Sequence, residues 1–148
     1  MSRTVVTKEY RDLPAAHRQP THKGHCRLIH GHNWGFDISF ASETYDGCGF
    51  VVDVGLLQPL KEELVKWFDH TLLLNQDDPL LETFKQQLEG YADIRVVKNC
   101  GMEGLAKFVA DLAGKLIDSG HIPGKERGLH VCKVICWEDS KNSSVYLL

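Results

Sequence analysis

One run of alternating side chains constrains the fold of this chain more than any other feature. From His32 onward, the apolar residues Trp34, Phe36, Ile38 and Phe40 alternate with smaller or polar residues. A period of two is typical of a β-strand that buries one face and leaves the other open. The fold must therefore include a sheet built around this strand, which begins within the motif HGH at 30–32.

The remaining patterns predict further strands and two amphipathic helices. The stretches 56–69 and 103–118 each place leucine and aromatic side chains along one stripe, as a half-buried helix does. Strands are predicted at 3–12, 129–138 and 143–148, a short helix at 79–89, a short strand at 93–98, and a loop at 18–27. The main order, strand, strand, helix, helix, strand, strand, predicts an α+β domain in which two helices cover one face of an antiparallel sheet.

The last two predicted strands are apolar on both faces. A sheet of that kind needs cover on its second face, and another subunit could supply it.

Length and composition limit the class of protein. A chain of 148 residues predicts one domain, residues 1–148, that is large enough to bury a core without disulfides. Its net charge of −3 implies neither nucleic acid nor an anionic membrane as a partner. No run reaches the length of a membrane span, no signal segment begins the chain, and the five cysteines form no CxxC pair. We therefore expect a cytoplasmic protein with free thiols.

Five of the eight histidines fall within one window of 16 residues. Residues i and i+2 of a strand point to the same side, so His30 and His32 can direct two imidazoles at one ion. His17 follows the first predicted strand and is the best-placed third ligand. Three neutral nitrogen ligands suit Zn²⁺ and leave one coordination position open, as in catalytic zinc sites. The alternative is a surface turn with two solvated histidines.

Three further positions could carry chemistry. Cys26 precedes the HGH motif, and a nearby metal would favour its thiolate as a base; the alternative is an inert cysteine. Asp69 and His70 could form a proton-transferring pair if the chain makes a non-helical turn there; the alternative is a solvated pair at a helix end. Glu138 ends an apolar strand and could bind a ligand with two adjacent N–H donors, or it could be an exposed turn residue.

Taken together, these motifs resemble the 6-pyruvoyltetrahydropterin synthase / 6-carboxytetrahydropterin synthase family over almost the whole chain. The resemblance depends on AAH at 15–17, CRLIHGHNW at 26–34, FVVD at 50–53, FDHTLLLN at 68–75 and WED at 137–139. It implies a T-fold (tunnelling fold), in which antiparallel four-stranded sheets with two helices on one face close into a barrel by oligomerisation. Two stacked trimers would form a homohexamer with active sites between subunits.

The resemblance also assigns roles to individual residues. It implies zinc ligands at His17, His30 and His32, and catalytic groups at Cys26, Asp69 and His70, with the Asp/His pair supplied by a neighbouring chain. Glu138 would anchor the pterin's aminopyrimidine edge, and Glu103 would also lie in the substrate site. Among the loop cations, Arg18, Lys23 and Arg27 could meet phosphates or could simply be solvated.

The implied substrate is 7,8-dihydroneopterin triphosphate. The short spacing between Cys26 and His30 is similar to the 6-carboxytetrahydropterin synthases of queuosine biosynthesis, which release triphosphate and acetaldehyde. A 6-pyruvoyltetrahydropterin synthase and a non-catalytic pterin- or purine-binding T-fold protein are the alternatives. One departure concerns the segment Asn99-Cys100-Gly101-Met102, where family members commonly carry Pro-Thr or Thr-Thr before the glutamate of the second helix.

Overall fold

The computed structural model describes residues 3–148, which form six strands and three α-helices. The strands are β1 (Val6–His17), β2 (His30–Ala41), β3 (Thr71–Asn75), β4 (Ile94–Val97), β5 (His130–Trp137) and β6 (Ser143–Leu147). The helices are α1 (Gln58–Phe68), α2 (Leu81–Gln87) and α3 (Met102–Asp118). Single 3₁₀ turns lie at His25–Arg27, Val54–Leu56 and Lys125–Arg127.

All six strands belong to one curled sheet with the order β4-β3-β1-β2-β5-β6. The four strands predicted from the main patterns pair antiparallel, β1 with β2, β2 with β5 and β5 with β6. The expectation of a four-stranded, wholly antiparallel sheet is wrong, because β3 and β4 add two parallel strands beside β1. The two long helices of the prediction are α1 and α3, and the short one, α2, lies between β3 and β4 as a third helix.

The missed strand, β3, has the sequence TLLLN, and all five of its residues are buried. Parallel strands that are covered on both faces lose the alternation that identifies a half-exposed strand. A run of four or five apolar residues after a helix is therefore ambiguous in sequence. The short helix at 79–89 and the short strand at 93–98 are confirmed as α2 and β4. Each end of α2 lies two residues inside the predicted bound, and each end of β4 lies one residue inside.

The hydrophobic core lies between one face of the sheet and the helices α1 and α3. Trp34, Phe36, Ile38 and Phe40 of β2 are all fully buried there, as their alternation predicts. The ring of Phe36 packs against Phe68 of α1 with centroids 4.8 Å apart. Leucine, valine and alanine side chains of α3 complete the layer. This packing fixes β2, and with it the histidines at its start.

The other face of the sheet is polar in its middle. Asp37 pairs there with the guanidinium of Arg11, and its second oxygen accepts a hydrogen bond from Trp137 Nε1 at 3.1 Å. Toward the edge strand this face becomes apolar, since Val145 is 55% exposed and Leu147 is 70% exposed. The prediction of uncovered apolar surface on the last strand therefore agrees with the structure. No helix within residues 3–148 is both long and apolar enough to cross a membrane.

Candidate metal centre and active site

Three imidazoles converge where β1 ends and β2 begins. His17 is the last residue of β1 and pairs directly with His30, while His32 pairs with Ala15. Side chains at these positions share one face of the sheet. One ring nitrogen from each histidine lies within 4.8 Å of the corresponding atoms of the other two. The predicted cluster of three histidines is therefore present, and the alternative of two solvated turn histidines is wrong.

Backbone carbonyls fix which nitrogen is free in two of the three rings. His17 Nδ1 lies 2.7 Å from the carbonyl oxygen of Cys100, and His30 Nδ1 lies 2.7 Å from that of Leu28. Because a carbonyl oxygen can only accept, each Nδ1 carries the proton and each Nε2 keeps its lone pair. The Nε2 atoms of His17 and His32 are buried without a hydrogen-bond partner. A bound metal ion would satisfy both of these ring nitrogens.

Burial favours the uncharged form of His17. Its pKa is lowered to about 4, mainly by desolvation; the neighbouring rings of His30 and His32 contribute to the lowering, and the hydrogen bond with Cys100 opposes it. The ring is therefore neutral near pH 7, which is the form that binds a metal.

Trp34 forms the floor of the cluster. Its ring meets His17 edge-on with centroids 5.0 Å apart and meets His32 at 5.4 Å. The indole Nε1 donates to the carbonyl of Ala15 at 3.2 Å, which fixes the ring. The tryptophan thus belongs both to the core and to the wall of the site, and it restricts the rotamers of two of the candidate ligands.

Glu138 stands next to the histidines. It follows the last residue of β5, and its Oε1 lies 3.5 Å from Nε2 of His32. Its neighbour Asp139 is occupied by the turn, because its carboxylate accepts from the backbone N–H groups of Lys141 and Asn142. The half-buried Glu138 is therefore the carboxylate that can point toward a ligand in this site.

Cys26 lies in the 3₁₀ turn His25–Arg27 and is exposed. Its backbone is tied to the histidine cluster, since the N–H of Gln19 donates to the carbonyl of Cys26 at 2.7 Å. Gln19 is two residues beyond His17, so the turn that carries the thiol is anchored next to a candidate metal ligand. The link between Cys26 and the site is therefore made by the backbone of the turn and not by the sulfur atom.

The departure at residues 99–102 has a structural role. Cys100 supplies the carbonyl that orients His17, and its own N–H donates to Asn75 Oδ1 at 2.8 Å. Glu103 is the second residue of α3. A Cβ at the preceding Gly101 would stand 2.7 Å from Gln19 Nε2 and 3.3 Å from Glu103 Oε2, so a larger residue there would displace these two polar side-chain ends.

Sequence reasoning missed the contributions of Cys100 and Asn75. Cys100 acts through its backbone, which leaves no signal in its residue type. Asn75 is a buried polar residue at the end of an apolar strand, and that pattern is the only sequence signal it offers.

Asp69 and His70 form a hydrogen-bonded pair, with His70 Nδ1 2.6 Å from Asp69 Oδ1. The predicted non-helical turn is present, because α1 ends at Phe68 and His70 has a positive φ of 60°. His70 is 84% exposed and lines a shallow depression that also includes Ala16, Gly31 and His32. The depression therefore brings His70 near the strand positions that carry the cluster. Within residues 3–148, however, no hydrogen bond or ion pair joins the Asp69–His70 pair to the three imidazoles.

Three comparisons place these features among known proteins. A family model described as 6-pyruvoyl tetrahydropterin synthase matches residues 5–147. The 6-carboxy-5,6,7,8-tetrahydropterin synthase of Rickettsia typhi is a curated relative that is 36% identical over 89 residues. That alignment covers 57% of this chain and spans only 60% of the relative's length.

Solved structures share the fold. An uncharacterized protein from Wolinella succinogenes superposes with a TM-score of 0.78 at 18% identity, and the match covers 99% of both chains. The 6-pyruvoyl tetrahydropterin synthase of Caenorhabditis elegans superposes with a TM-score of 0.62 at 20% identity, covering 100% of this chain and 99% of that one. At these identities the likeness concerns the fold alone.

Proposed function

Because this chain belongs to the 6-pyruvoyl tetrahydropterin synthase family, we propose that it is a metal-dependent lyase acting on a reduced pterin triphosphate. The observation that carries the proposal is the set of three imidazoles with ring nitrogens within 4.8 Å of one another. Two of those nitrogens, on His17 and His32, are buried without a hydrogen bond, and an ion would satisfy them. Three uncharged nitrogen donors favour Zn²⁺ with a position left for substrate.

Each residue of the site has its own role in this proposal. Glu138 accepts hydrogen bonds from the aminopyrimidine edge of the pterin, and Glu103, at the start of α3, also binds the substrate. His17, His30 and His32 would hold a zinc ion, which would supply Lewis acidity to the site. Cys26 acts as the base on one side of the substrate side chain. His70, kept in one tautomer by Asp69, moves protons on the other side.

A second copy of the chain supplies the Asp69–His70 pair in this proposal. Two observations support that arrangement. His70 is 84% exposed and its described side-chain bond is to Asp69 rather than to the cluster, and the edge strand β6 carries exposed apolar side chains at Val145 and Leu147. We propose that copies of the chain assemble into a hexamer of two trimers, with each active site at a subunit boundary.

We favour the branch that converts 7,8-dihydroneopterin triphosphate to 6-carboxy-5,6,7,8-tetrahydropterin with loss of acetaldehyde and triphosphate. The support is the printed name of the Rickettsia relative and the spacing of three residues between Cys26 and His30. The alternative product, 6-pyruvoyltetrahydropterin, is favoured by the name of the Caenorhabditis structure. That branch would release triphosphate without acetaldehyde.

The decisive experiment incubates the purified protein with 7,8-dihydroneopterin triphosphate. We expect triphosphate and acetaldehyde, and we expect loss of both after chelation with recovery on addition of Zn²⁺. The variant Cys26→Ala should keep bound metal and pterin but lose turnover, whereas Cys48→Ala, a change at the other exposed cysteine, should be fully active.

Each other outcome has a definite meaning. Triphosphate without acetaldehyde would establish the pyruvoyl branch instead. Pterin binding without any turnover would establish a non-catalytic binder and would refute the proposed lyase. Full activity of Cys26→Ala would refute only the proposed role of the thiol and would leave the lyase proposal standing.

A further inference from the structure

The guanidinium of Arg18 is not free to meet a phosphate. Its Nε and Nη2 donate to the two carboxylate oxygens of Asp78 at 2.7 Å and 2.9 Å. The side chain of Arg18 is 13% exposed and that of Asp78 is fully buried. The guanidinium also lies over the ring of Phe84, 5.3 Å from its centroid. A paired, stacked arginine of this kind has one orientation rather than many.

That fixed orientation directs the third guanidinium nitrogen at the turn that carries Cys26. Arg18 Nη1 donates to the carbonyl of Arg27 at 3.2 Å. The next residue, Gln19, donates its backbone N–H to the carbonyl of Cys26 at 2.7 Å. Two consecutive residues after His17 therefore bind two consecutive carbonyls of the turn. The bonds within the turn, from Arg27 N to Gly24 O and from Leu28 N to His25 O, set only its local shape.

We propose that Arg18, held by Asp78, is a positioning residue that fixes the turn carrying Cys26 relative to the histidine cluster. The inference rests on the proposed role of Cys26, because the position of the turn matters only if the thiol reacts. Asp78 lies in the connection after β3, and Phe84 lies in α2. Neither residue has a role in the proposed chemistry, but both hold the Arg18 side chain that fixes the turn of Cys26. The Arg18 guanidinium also lowers the pKa of Asp78, so the carboxylate is charged when it binds.

The test compares Arg18→Lys with Arg95→Lys. Lysine keeps the positive charge beside Asp78, but a single ammonium cannot span the carboxylate and the Arg27 carbonyl as the guanidinium does. Arg95 is a matched control, because it also donates to a carbonyl, that of Lys66, and to a carboxylate, that of Asp93, away from the turn. Asp78→Asn removes the charge from the other end of the pair.

Two measurements are made on the intact protein. Hydrogen exchange reports the order of the turn whether or not the protein has activity, and steady-state kinetics separates kcat from KM. For Arg18→Lys we expect faster exchange confined to residues 18–28 and a kcat lowered about 10- to 100-fold, with KM changed little because Glu138 and Glu103 are untouched. Asp78→Asn should act alike, and the double variant should be no worse than the poorer single one. Arg95→Lys should change neither measurement near the turn.

Several results would overturn the inference. Unchanged exchange at residues 18–28 would show that the guanidinium does not fix the turn. Faster exchange throughout the chain would reduce Arg18 to a general stabiliser of the fold. Local loosening with unchanged kcat would show that the position of Cys26 is not limiting. If the unsubstituted protein has no turnover, the proposed function fails, while local loosening in Arg18→Lys would still establish what Arg18 holds in place.

Discussion

At the scale of single residues, the candidate metal centre depends on carbonyl oxygens that orient two imidazoles. His30 and His130 provide a matched pair for testing this, because each begins a strand and each points Nδ1 at the carbonyl two residues earlier, that of Leu28 or of Gly128. Only His30 belongs to the cluster of three. The two positions therefore differ in whether other imidazoles meet them, and not in local geometry.

We expect His30→Ala to lose the metal and His130→Ala to keep it. Two remaining imidazoles provide too few ligands for tight zinc binding, whereas the His130 ring contributes none. Elemental analysis of the dialysed protein should give about one ion per chain for the unsubstituted protein and for His130→Ala, and near zero for His30→Ala. Equal metal content in the two variants would contradict the site, provided that circular dichroism shows both to be folded.

Stability should fall with acidification in the metal-free protein because of His17. Its pKa is about 4 in the folded state against 6.5 as the ordinary value, so between these values the unfolded chain binds a proton that the native chain excludes. Stability is therefore fully present above pH 6.5 and is lost as the pH falls toward 4. We expect a loss of about 2 kcal/mol between pH 7.5 and pH 5.

Urea unfolding in the presence of chelator measures this loss. The variant His17→Gln has no titrating ring at that position, so its stability should depend less on pH by a similar amount. An unchanged pH dependence in the variant would assign the effect to other groups. The comparison isolates the ring from the other histidines because they are common to both proteins.

At the scale of elements, the end of β3 supports the metal centre from behind. Asn75 closes that strand and uses its amide twice, accepting from the N–H of Cys100 and donating to the side-chain oxygen of Gln19 at 3.1 Å. Cys100 in turn orients His17, and Gln19 binds the turn of Cys26. The order of a parallel strand is thereby linked to both halves of the candidate site.

Replacement of Asn75 by alanine should weaken the fold and the metal site together. It leaves the buried N–H of Cys100 without a partner, which costs roughly 1–3 kcal/mol, and it loosens the carbonyl that orients His17, which typically costs 10- to 100-fold in metal affinity. Chemical denaturation and metal competition measure the two effects. The exposed Asn142, bonded only within the β5–β6 turn by its side chain, is the control, and Asn142→Ala should change neither. An unaltered metal affinity in Asn75→Ala would contradict the link.

The sequence predicted the strongly patterned elements and missed those without a pattern. β2 is recognisable because one face is buried, and His30 and His32 lie where its alternation places them. β1 extends beyond the predicted strand, to His17, because the irregular register between Tyr10 and Leu13 interrupts its alternation. β3 is buried on both sides and therefore has no alternation to detect. Backbone groups such as the Cys100 carbonyl are invisible in any residue pattern.

At the scale of the whole molecule, the proposed assembly predicts complementation between inactive variants. Cys26→Ala and His70→Ala should each be inactive alone, because every site would lack one catalytic group. Subunits that are mixed, dissociated and reassembled at random should regain about a quarter of the activity, since one site in four would combine an intact Cys26 with an intact His70. Light scattering before and after mixing checks that the oligomer has re-formed.

The failure of this mixing experiment would also be informative. If reassembled mixtures stay inactive, each chain must carry its own complete site, and the face of the sheet that carries His70 must have another role. If the unmixed chains prove monomeric, the exposed edge at Val145 and Leu147 is not a subunit contact under those conditions.

The hydrogen bond between His17 and the Cys100 carbonyl joins positions 83 residues apart. This separation has a consequence for folding during synthesis on the ribosome. A nascent chain that has emerged only through β2 already displays all three imidazoles, yet the oxygen that aims one of them has still to be translated. Firm capture of the ion must therefore wait until roughly two thirds of the polypeptide has been made. A ribosome-stalled fragment ending before residue 100 should therefore bind zinc weakly. Tight metal binding would come late, when most of the fold has already formed.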